Sequence, residues 1–184
     1  MVVEHIPGPV TPGQIDKDNG GWDSTYTSKS GITYREYKQD AGYYKDYIYE
    51  YHGGPGPFSE MACPIVASAI FLEGFGVHVD PYELYKVSGV ANPAVAANAY
   101  LGKSVTVSQT YSKDVTLNIL KSGKPVAIHN TGWNTLGHYM TILDYDETTD
   151  RVYLSEVHSG FNGKTDKGWI DIDKINIDTI YYIP

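Results

Sequence analysis

The sequence predicts an α+β fold, with a helical first half followed by an antiparallel sheet. Residues 61–121 contain four segments with helix signals, such as a capping residue followed by proline or an apolar run that ends in glycine. Residues 125–183 instead hold short segments rich in β-branched and aromatic residues. A helical half followed by strands is the α+β layout. The 184 residues suffice for one domain whose core needs neither a disulfide nor a structural metal.

The first 31 residues predict an N-terminal extension without regular structure. The segment IPGPVTPG contains three of the ten prolines, and DKDNGG follows it. The segment DKDNGGWD superficially resembles a calcium loop, but its glycine is displaced and no Glu occupies the twelfth position. We therefore place the folded domain at residues 32–184.

Tyrosines dominate the start of this domain. Residues 32–51 contain seven of the 17 tyrosines, and we expect a short strand at 47–51. The next segment, HGGPGPFSE, is predicted to be a loop because it contains two prolines and three glycines. Two interpretations of the tyrosines stay open, namely half-buried packing and an aromatic-lined substrate cleft.

The strongest helix signal lies in residues 61–76, MACPIVASAIFLEGFG. Pro64 suits a first helical turn, and Gly74 and Gly76 suit a helix end. Cys63 is therefore expected at, or within one residue of, the N-terminus of a buried helix. At that position the helix dipole and the free backbone N–H groups favour a thiolate over a thiol.

Three further helices and four strands complete the predicted elements. Asp80-Pro81 and Asn92-Pro93 each pair a capping residue with proline and predict a short helix. A fourth helix is expected at Lys113–Lys121, before Gly123. The expected strands are 125–130, 138–145, 151–157 and 178–183, with a polar turn at 146–150.

Composition argues against several classes of partner. With 14 basic and 22 acidic residues, the net charge of −8 disfavours nucleic acid and anionic lipid. No apolar run approaches the roughly 18 residues that a membrane span requires. We expect a monomeric protein without a membrane-spanning segment.

The first ten residues, MVVEHIPGPV, lack the basic segment and the apolar stretch of a signal peptide. A signal removed ahead of this sequence would still agree with a secreted, cell-wall-associated or phage-associated protein. We therefore assign no compartment.

Cys63 is the only cysteine, which excludes an internal disulfide and a cysteine-rich zinc site. The six histidines form no HExxH pair, and we expect no metal and no other cofactor. A cysteine nucleophile needs a base, a group that orients the base, and donors for the oxyanion. His138, directly after Gly137, opens a predicted strand, and Glu156 lies on the next one, so they are candidates for the first two roles. An inert buried thiol stays open as the other interpretation of Cys63.

Five segments, taken in order, resemble the papain-like cysteine peptidases of the C39-like group. They correspond to the Gln-containing strand, the Cys helix, the PV strand, the Gly-His strand and the acidic strand of that group. These segments are YKQ (37–39), MACPIVASAI (61–70), GKPVAIHN (123–130), GHYMTILDYD (137–146) and RVYLSEVHSG (151–160). The resemblance implies a papain-like fold for the domain, cysteine peptidase activity on a peptide or protein substrate, and a bacterial or phage origin.

By position, the resemblance also assigns roles to residues. Cys63 would be the nucleophile, and His138 the general base that later acts as the acid. Glu156 would orient His138 from the position where the family has Asp or Asn. Gln39 would donate to the oxyanion together with the backbone N–H of Cys63.

Departures from the family pattern keep alternatives open for these roles. The family has glycine on both sides of its cysteine, whereas this chain has Ala62 before it and Pro64 after it. Pro64 removes one backbone N–H near the oxyanion site. Glu156 is one methylene longer than Asp, so Asn162 could be the orienting residue instead. His158 could compete as the base.

Trp133 and Tyr139 are expected to line the substrate cleft. The same residues would suit two other functions. Papain-like folds also support acyl transfer in transglutaminase-like proteins, and an aromatic surface could serve a catalytically degenerate binding module. We therefore keep an acyltransferase and a binding module as alternatives to the peptidase.

Overall fold

The structure is a computed structural model that describes residues 20–51, 54–89, 92–102, 107–131, 137–159 and 168–184. It combines helices with antiparallel strands, so the predicted α+β class is confirmed. The strands are β1 (Trp22–Thr27), β2 (Thr33–Tyr37), β3 (Ile48–Tyr51), β4 (Gly54–Pro57), β5 (Val107–Thr110), β6 (Val126–Asn130), β7 (His138–Asp146), β8 (Arg151–Ser155), β9 (Gly168–Ile170) and β10 (Ile177–Tyr182). The helices are α1 (Phe58–Met61), α2 (Cys63–Glu73), α3 (Pro81–Ser88), α4 (Pro93–Leu101) and α5 (Lys113–Lys121), and a short 3-10 helix covers Ile172–Lys174.

Helix α2 is the central helix of the fold. Its residues from Pro64 to Glu73 are all buried, because α2 contacts β2, β6 and β7 together with α3 and α4. An apolar surface on every side suits a helix that is enclosed in this way. The hydroxyl of Thr141 in β7 donates to the carbonyl of Ala67 at 2.9 Å. This bond holds α2 against the strand that begins at His138.

Helices α3, α4 and α5 begin where the sequence predicts them, and each has a capping side chain. Asp80, Asn92 and Ser112 each accept a backbone N–H of the following first turn through the side chain. Pro81 and Pro93 occupy the first turn of α3 and α4, where a missing N–H costs little. These three predicted helices are confirmed. Among the described residues, no helix combines the length and the apolar content that a membrane crossing needs.

A six-stranded antiparallel sheet has the strand order β5-β10-β6-β7-β8-β9. The four predicted strands are confirmed as β6, β7, β8 and β10, whereas the two edge strands β5 and β9 were not predicted. Ala127 and Leu143 join the core around α2, while Met140 and Ile142 join a second core with Leu120 of α5. The alternation of side chains along each strand therefore places a helix on both faces of the sheet.

The expectation that the N-terminal extension lacks regular structure is wrong for Trp22–Thr27. These residues form β1, which pairs with β2. The ring of Tyr26 stacks on Tyr153 of β8, with 3.5 Å between centroids, and its hydroxyl donates to Asp144 at 2.8 Å. Such long-range contacts override local turn signals. Residues 1–19, with the first half of the calcium-like segment, lie outside the described residues, and the domain boundary stays a prediction.

The prediction of a loop at HGGPGPFSE is wrong for residues 54–60, the part of this segment that the structure describes. Gly54–Pro57 form β4, which pairs with the correctly predicted β3, and the chain then enters α1. The ring of Phe58 is fully buried, 4.9 Å from the ring of Tyr44 and 5.5 Å from that of Tyr49. Burial of this aromatic cluster folds the Gly- and Pro-rich segment against the domain. For Tyr44 and Tyr49, packing is the interpretation that the structure supports.

Candidate active site

A break between two helices places Cys63 at a helix start. Helix α1 ends at Met61, Ala62 takes φ −91° and ψ 15°, and α2 begins at Cys63. The N–H groups of a first turn lack intrahelical acceptors, and no main-chain acceptor among the described residues takes the Cys63 N–H. Pro64 has no N–H to offer. The Cys63 N–H is therefore the donor that the fold leaves beside the thiol.

His138 begins β7 directly after Gly137, whose φ of 80° is left-handed. A Cβ on Gly137 would lie 2.0 Å from Nε2 of His129, so the close approach of that imidazole requires glycine. His138 pairs with Asn130 of β6 in the sheet register. The turn into β7 and the pairing with β6 thus fix the backbone that carries the buried His138 ring.

The His138 side chain interacts with a thiol and with a carboxylate. Its Nε2 lies 2.6 Å from Oε1 of Glu156, and the Cys63 side chain is near enough to raise the pKa of the ring. Because Nε2 faces Glu156, Nδ1 is the ring nitrogen left for the thiol. Burial alone lowers the pKa of His138, but the hydrogen bonds and the charges of Cys63 and Glu156 raise it to about 10. At neutral pH the site therefore favours an imidazolium.

Glu156 lies one residue beyond the end of β8 and is 1% exposed. Its Oε1 accepts from the His138 ring and, at 2.9 Å, from the backbone N–H of His158. Its Oε2 is buried and has no hydrogen-bond partner among the described residues. Its backbone carbonyl accepts a hydrogen bond from Nζ of Lys38. A carboxylate held in this way can keep the His138 ring in one orientation.

Gln39 follows β2 and reaches the turn that precedes Cys63. Its side-chain Nε2 donates to the Ser59 carbonyl at 2.8 Å, and its backbone N–H donates to the Val157 carbonyl at 2.7 Å. Ser59 lies four residues before Cys63, so a continuous helix would offer its carbonyl to the Cys63 N–H. Gln39 occupies that carbonyl instead. The second hydrogen of the Gln39 amide has no acceptor among the described residues.

The two residues expected to line a substrate cleft are Tyr139 and Trp133. The ring of Tyr139 lies 4.7 Å from that of His129, and its hydroxyl lies 3.5 Å from that of Tyr181. These contacts account for its half-buried position, and its role in substrate binding stays a prediction. Trp133, and the alternative orienting residue Asn162, lie outside the described residues.

Three further histidines among the described residues face carboxylates, and two of them, His158 and His129, lie near the site. His158 touches the site through its backbone N–H, while its Nδ1 lies 3.7 Å from Oδ2 of Asp40. His129 Nδ1 lies 2.7 Å from Oδ1 of Asp178, and this pair is partly exposed. The sequence did not indicate the second pair, because its members are 49 positions apart and meet only when β6 pairs with β10.

Lys38 is the candidate that sequence reasoning missed. It is 2% exposed, and its Nζ lies 4.0 Å from Oδ2 of Asp23 in addition to its bond with Glu156. Its position directly before Gln39 was the only available signal, and it is a weak one because most lysines are solvated. A neighbouring pocket of about 460 Å³ is lined by Asp23, Lys38, Tyr153, Glu156, His158, Ser159 and Gly168.

Comparison with known proteins identifies the family. The model of the Peptidase_C39 like family matches residues 37–176, which is more than half of the chain. The chain belongs to this family. It is accordingly a cysteine peptidase, and its helical half packed on an antiparallel sheet is the papain-like arrangement that the sequence predicts. A search of curated proteins found no match.

Three solved structures are similar to this C39-like chain. A protein assigned as a C39-like peptidase from Bacillus anthracis is 15% identical, covers 67% of this chain and is itself covered to 88%, with a TM-score of 0.46. A double glycine motif protease from an AMS/PCAT transporter, in complex with the leader peptide, is 17% identical (66% and 84% covered, TM-score 0.41). The peptidase domain of Streptococcus ComA, a bifunctional ABC transporter, is 13% identical (77% and 99% covered, TM-score 0.45).

Proposed function

We propose that the chain hydrolyses a peptide or isopeptide bond with Cys63 as the nucleophile, His138 as the acid–base residue and Glu156 as the residue that orients His138. The observation that carries this proposal is the buried imidazole of His138, which lies 2.6 Å from the Glu156 carboxylate and whose pKa the nearby Cys63 side chain raises. A nucleophile, a base and an orienting group in contact are the requirements of thiol catalysis.

The arrangement supports a two-step mechanism. The thiolate of Cys63 attacks the carbonyl carbon, and the imidazolium of His138 gives its proton to the leaving amine. The neutral imidazole then takes a proton from water, which attacks the thioester and releases the acid. Throughout, Glu156 keeps Nε2 of His138 engaged, so that Nδ1 exchanges the proton.

Two donors are available for the negative oxygen of the intermediate. One is the backbone N–H of Cys63 at the start of α2, and the other is the remaining amide hydrogen of Gln39. Pro64 contributes no N–H, so the Gln39 side chain carries more of this stabilisation than it would in a chain with glycine at that position.

The reactivity of the single cysteine tests this proposal without a known substrate. At pH 6 we expect Cys63 to react with iodoacetamide about 10-fold faster than free cysteine, or more, because little free cysteine is thiolate at that pH. Cleavage of a mixture of synthetic peptides, followed by mass spectrometry, should disappear in Cys63→Ala. The variant Ser122→Ala, at an exposed site at the end of α5, serves as the control and should cleave as the wild type does.

Alkylation of Cys63 no faster than that of free cysteine, with no cleavage lost in Cys63→Ala, would reject the proposed catalytic role of Cys63 and favour the alternative of a catalytically degenerate binding module. Added amine acceptors separate the two enzymes. Free acid products support hydrolysis, whereas amine conjugates as the main product would replace the hydrolase with an acyltransferase.

A further inference from the structure

A buried lysine stands next to the acidic residue of the proposed site. Lysine is rarely buried without a partner, because desolvation of its ammonium is costly. Lys38 is nevertheless 2% exposed. Its Nζ donates to the backbone carbonyl of Glu156 and lies 4.0 Å from Oδ2 of Asp23. Lys38 therefore brings a positive charge into the pocket that Glu156 also lines.

The main chain around Lys38 also contacts the segment that contains Glu156. The Lys38 N–H donates to the Gly21 carbonyl, and the next residue, Gln39, donates its N–H to the carbonyl of Val157. Lys38 and Gln39 thus bind two consecutive carbonyls, those of Glu156 and Val157. The position of Glu156 relative to Gln39 is set by this pair of bonds.

The two oxygens of the buried Glu156 carboxylate have different surroundings. Its Oε1 accepts from two N–H groups, but its buried Oε2 has no hydrogen-bond partner among the described residues. In a buried setting a positive charge stabilises an ionised carboxylate far more than it does in water. Lys38 is the lysine of the pocket lining.

The other ionisable side chains of the pocket lining, apart from Glu156, are those of Asp23, Tyr153 and His158. Asp23 is negative and half exposed. Tyr153 stays neutral, because burial and the charge of Glu36 raise its pKa to about 12. His158 faces Asp40 at 3.7 Å.

We propose that Lys38 is a positioning residue of the active site, whose ammonium holds the backbone of Glu156 and favours the ionised carboxylate that orients the His138 imidazolium. The inference rests on the proposed function of Cys63, His138 and Glu156. Lys38 acts through Glu156. Loss of its charge should therefore shift the pH dependence of Cys63 alkylation, whereas loss of a purely structural lysine would slow alkylation equally at every pH.

Loss of a positive charge raises the pKa of every ionisable group nearby. The pH profile of Cys63 alkylation should have two inflections, one from the Cys63 thiol and one from the His138 ring. We therefore expect Lys38→Met and Lys38→Gln to shift both inflections upward, by about half a pH unit or more. Gln keeps an N–H donor without the charge, and Lys38→Arg keeps both and should retain the wild-type inflections. The matched control is Lys124→Met, because Lys124 also donates to a backbone carbonyl, that of Pro184, but at an exposed position.

The measurement is the rate of iodoacetamide labelling between about pH 4 and about pH 10, with circular dichroism as the check of folding. Inflections that stay in place in the charge-free variants, with labelling slowed equally at every pH, would overturn the proposal. If Lys38→Met does not fold, Lys38→Gln decides the question. A wild-type profile like that of free cysteine would instead reject the proposed function itself, so the two failures are distinguishable.

Discussion

Two histidine–carboxylate pairs on one sheet have nearly the same contact and different surroundings. His138 Nε2 lies 2.6 Å from Oε1 of Glu156, and His129 Nδ1 lies 2.7 Å from Oδ1 of Asp178. The side chains of the first pair are 4% and 1% exposed, whereas those of the second are 18% and 42% exposed. Water screens the second pair, and the first interacts in a medium of lower dielectric constant.

The two pairs also differ in what the other ring nitrogen faces. The His138 side chain has the Cys63 thiol as its second partner. Nε2 of His129 instead lies against Gly137, where a Cβ would be 2.0 Å away. A histidine beside a carboxylate is therefore not in itself a catalytic base. Burial, the carboxylate and a nucleophile must act on the same ring.

The largest expected difference between the pairs is in stability. Glu156→Ala leaves a buried imidazolium without its carboxylate and should lower the free energy of unfolding by about 3–5 kcal/mol. Asp178→Ala removes a half-exposed partner and should cost at most about 1 kcal/mol. Urea denaturation of both variants measures the two values. Equal losses would show that burial does not distinguish the pairs.

A second difference concerns the reactivity of Cys63. His138→Ala should slow iodoacetamide labelling at pH 6 by about 100-fold, because the thiolate loses the cation beside it. His129→Ala should change the rate by less than about 3-fold, since its ring contacts the backbone before His138 and not the thiol. A comparable loss in both variants would mean that the second pair belongs to the site.

The smallest expected difference is in the pH dependence of stability. The pKa of His138 is raised from its ordinary value of 6.5 to about 10 in the folded chain. Its stabilising contribution is therefore complete below about pH 6.5 and is lost as the pH rises toward 10. Over this range the free energy of unfolding should fall with rising pH in the wild type, and it should fall by about 1 kcal/mol less in Glu156→Gln. Asp178→Asn is the control, and an equal reduction in it would contradict the assignment.

Much of the fold could be predicted because its signals are local. The caps Asp80 and Asn92, each followed by proline, mark helix starts through contacts within one turn. The β-branched and aromatic runs of β6, β7 and β8 reflect burial on a sheet that separates two cores. The start of α2 at Cys63 is also a local signal, because Pro64 favours the first turn of a helix.

The elements that could not be predicted depend on distant partners. The strand β1 forms where Tyr26 meets Tyr153 and Asp144, more than 100 positions along the chain. The strand β4 forms because Phe58 is buried among tyrosines, although glycine and proline disfavour a strand. Local propensity contributes less to stability than such burial does, and only the folded chain shows which residues are buried together.

The sequence by itself determined the helix that begins at Cys63 and the strand that begins at His138, and its resemblance to the C39-like group supplied the order of candidate residues. Only the tertiary structure decided which side chains meet. It brings the His138 ring to the carboxylate of Glu156, leaves His129 with a partly exposed aspartate, and buries Lys38 against the backbone of Glu156. The physical reason is that helix and strand starts are set by neighbouring residues, whereas burial and electrostatics depend on segments joined by long-range packing.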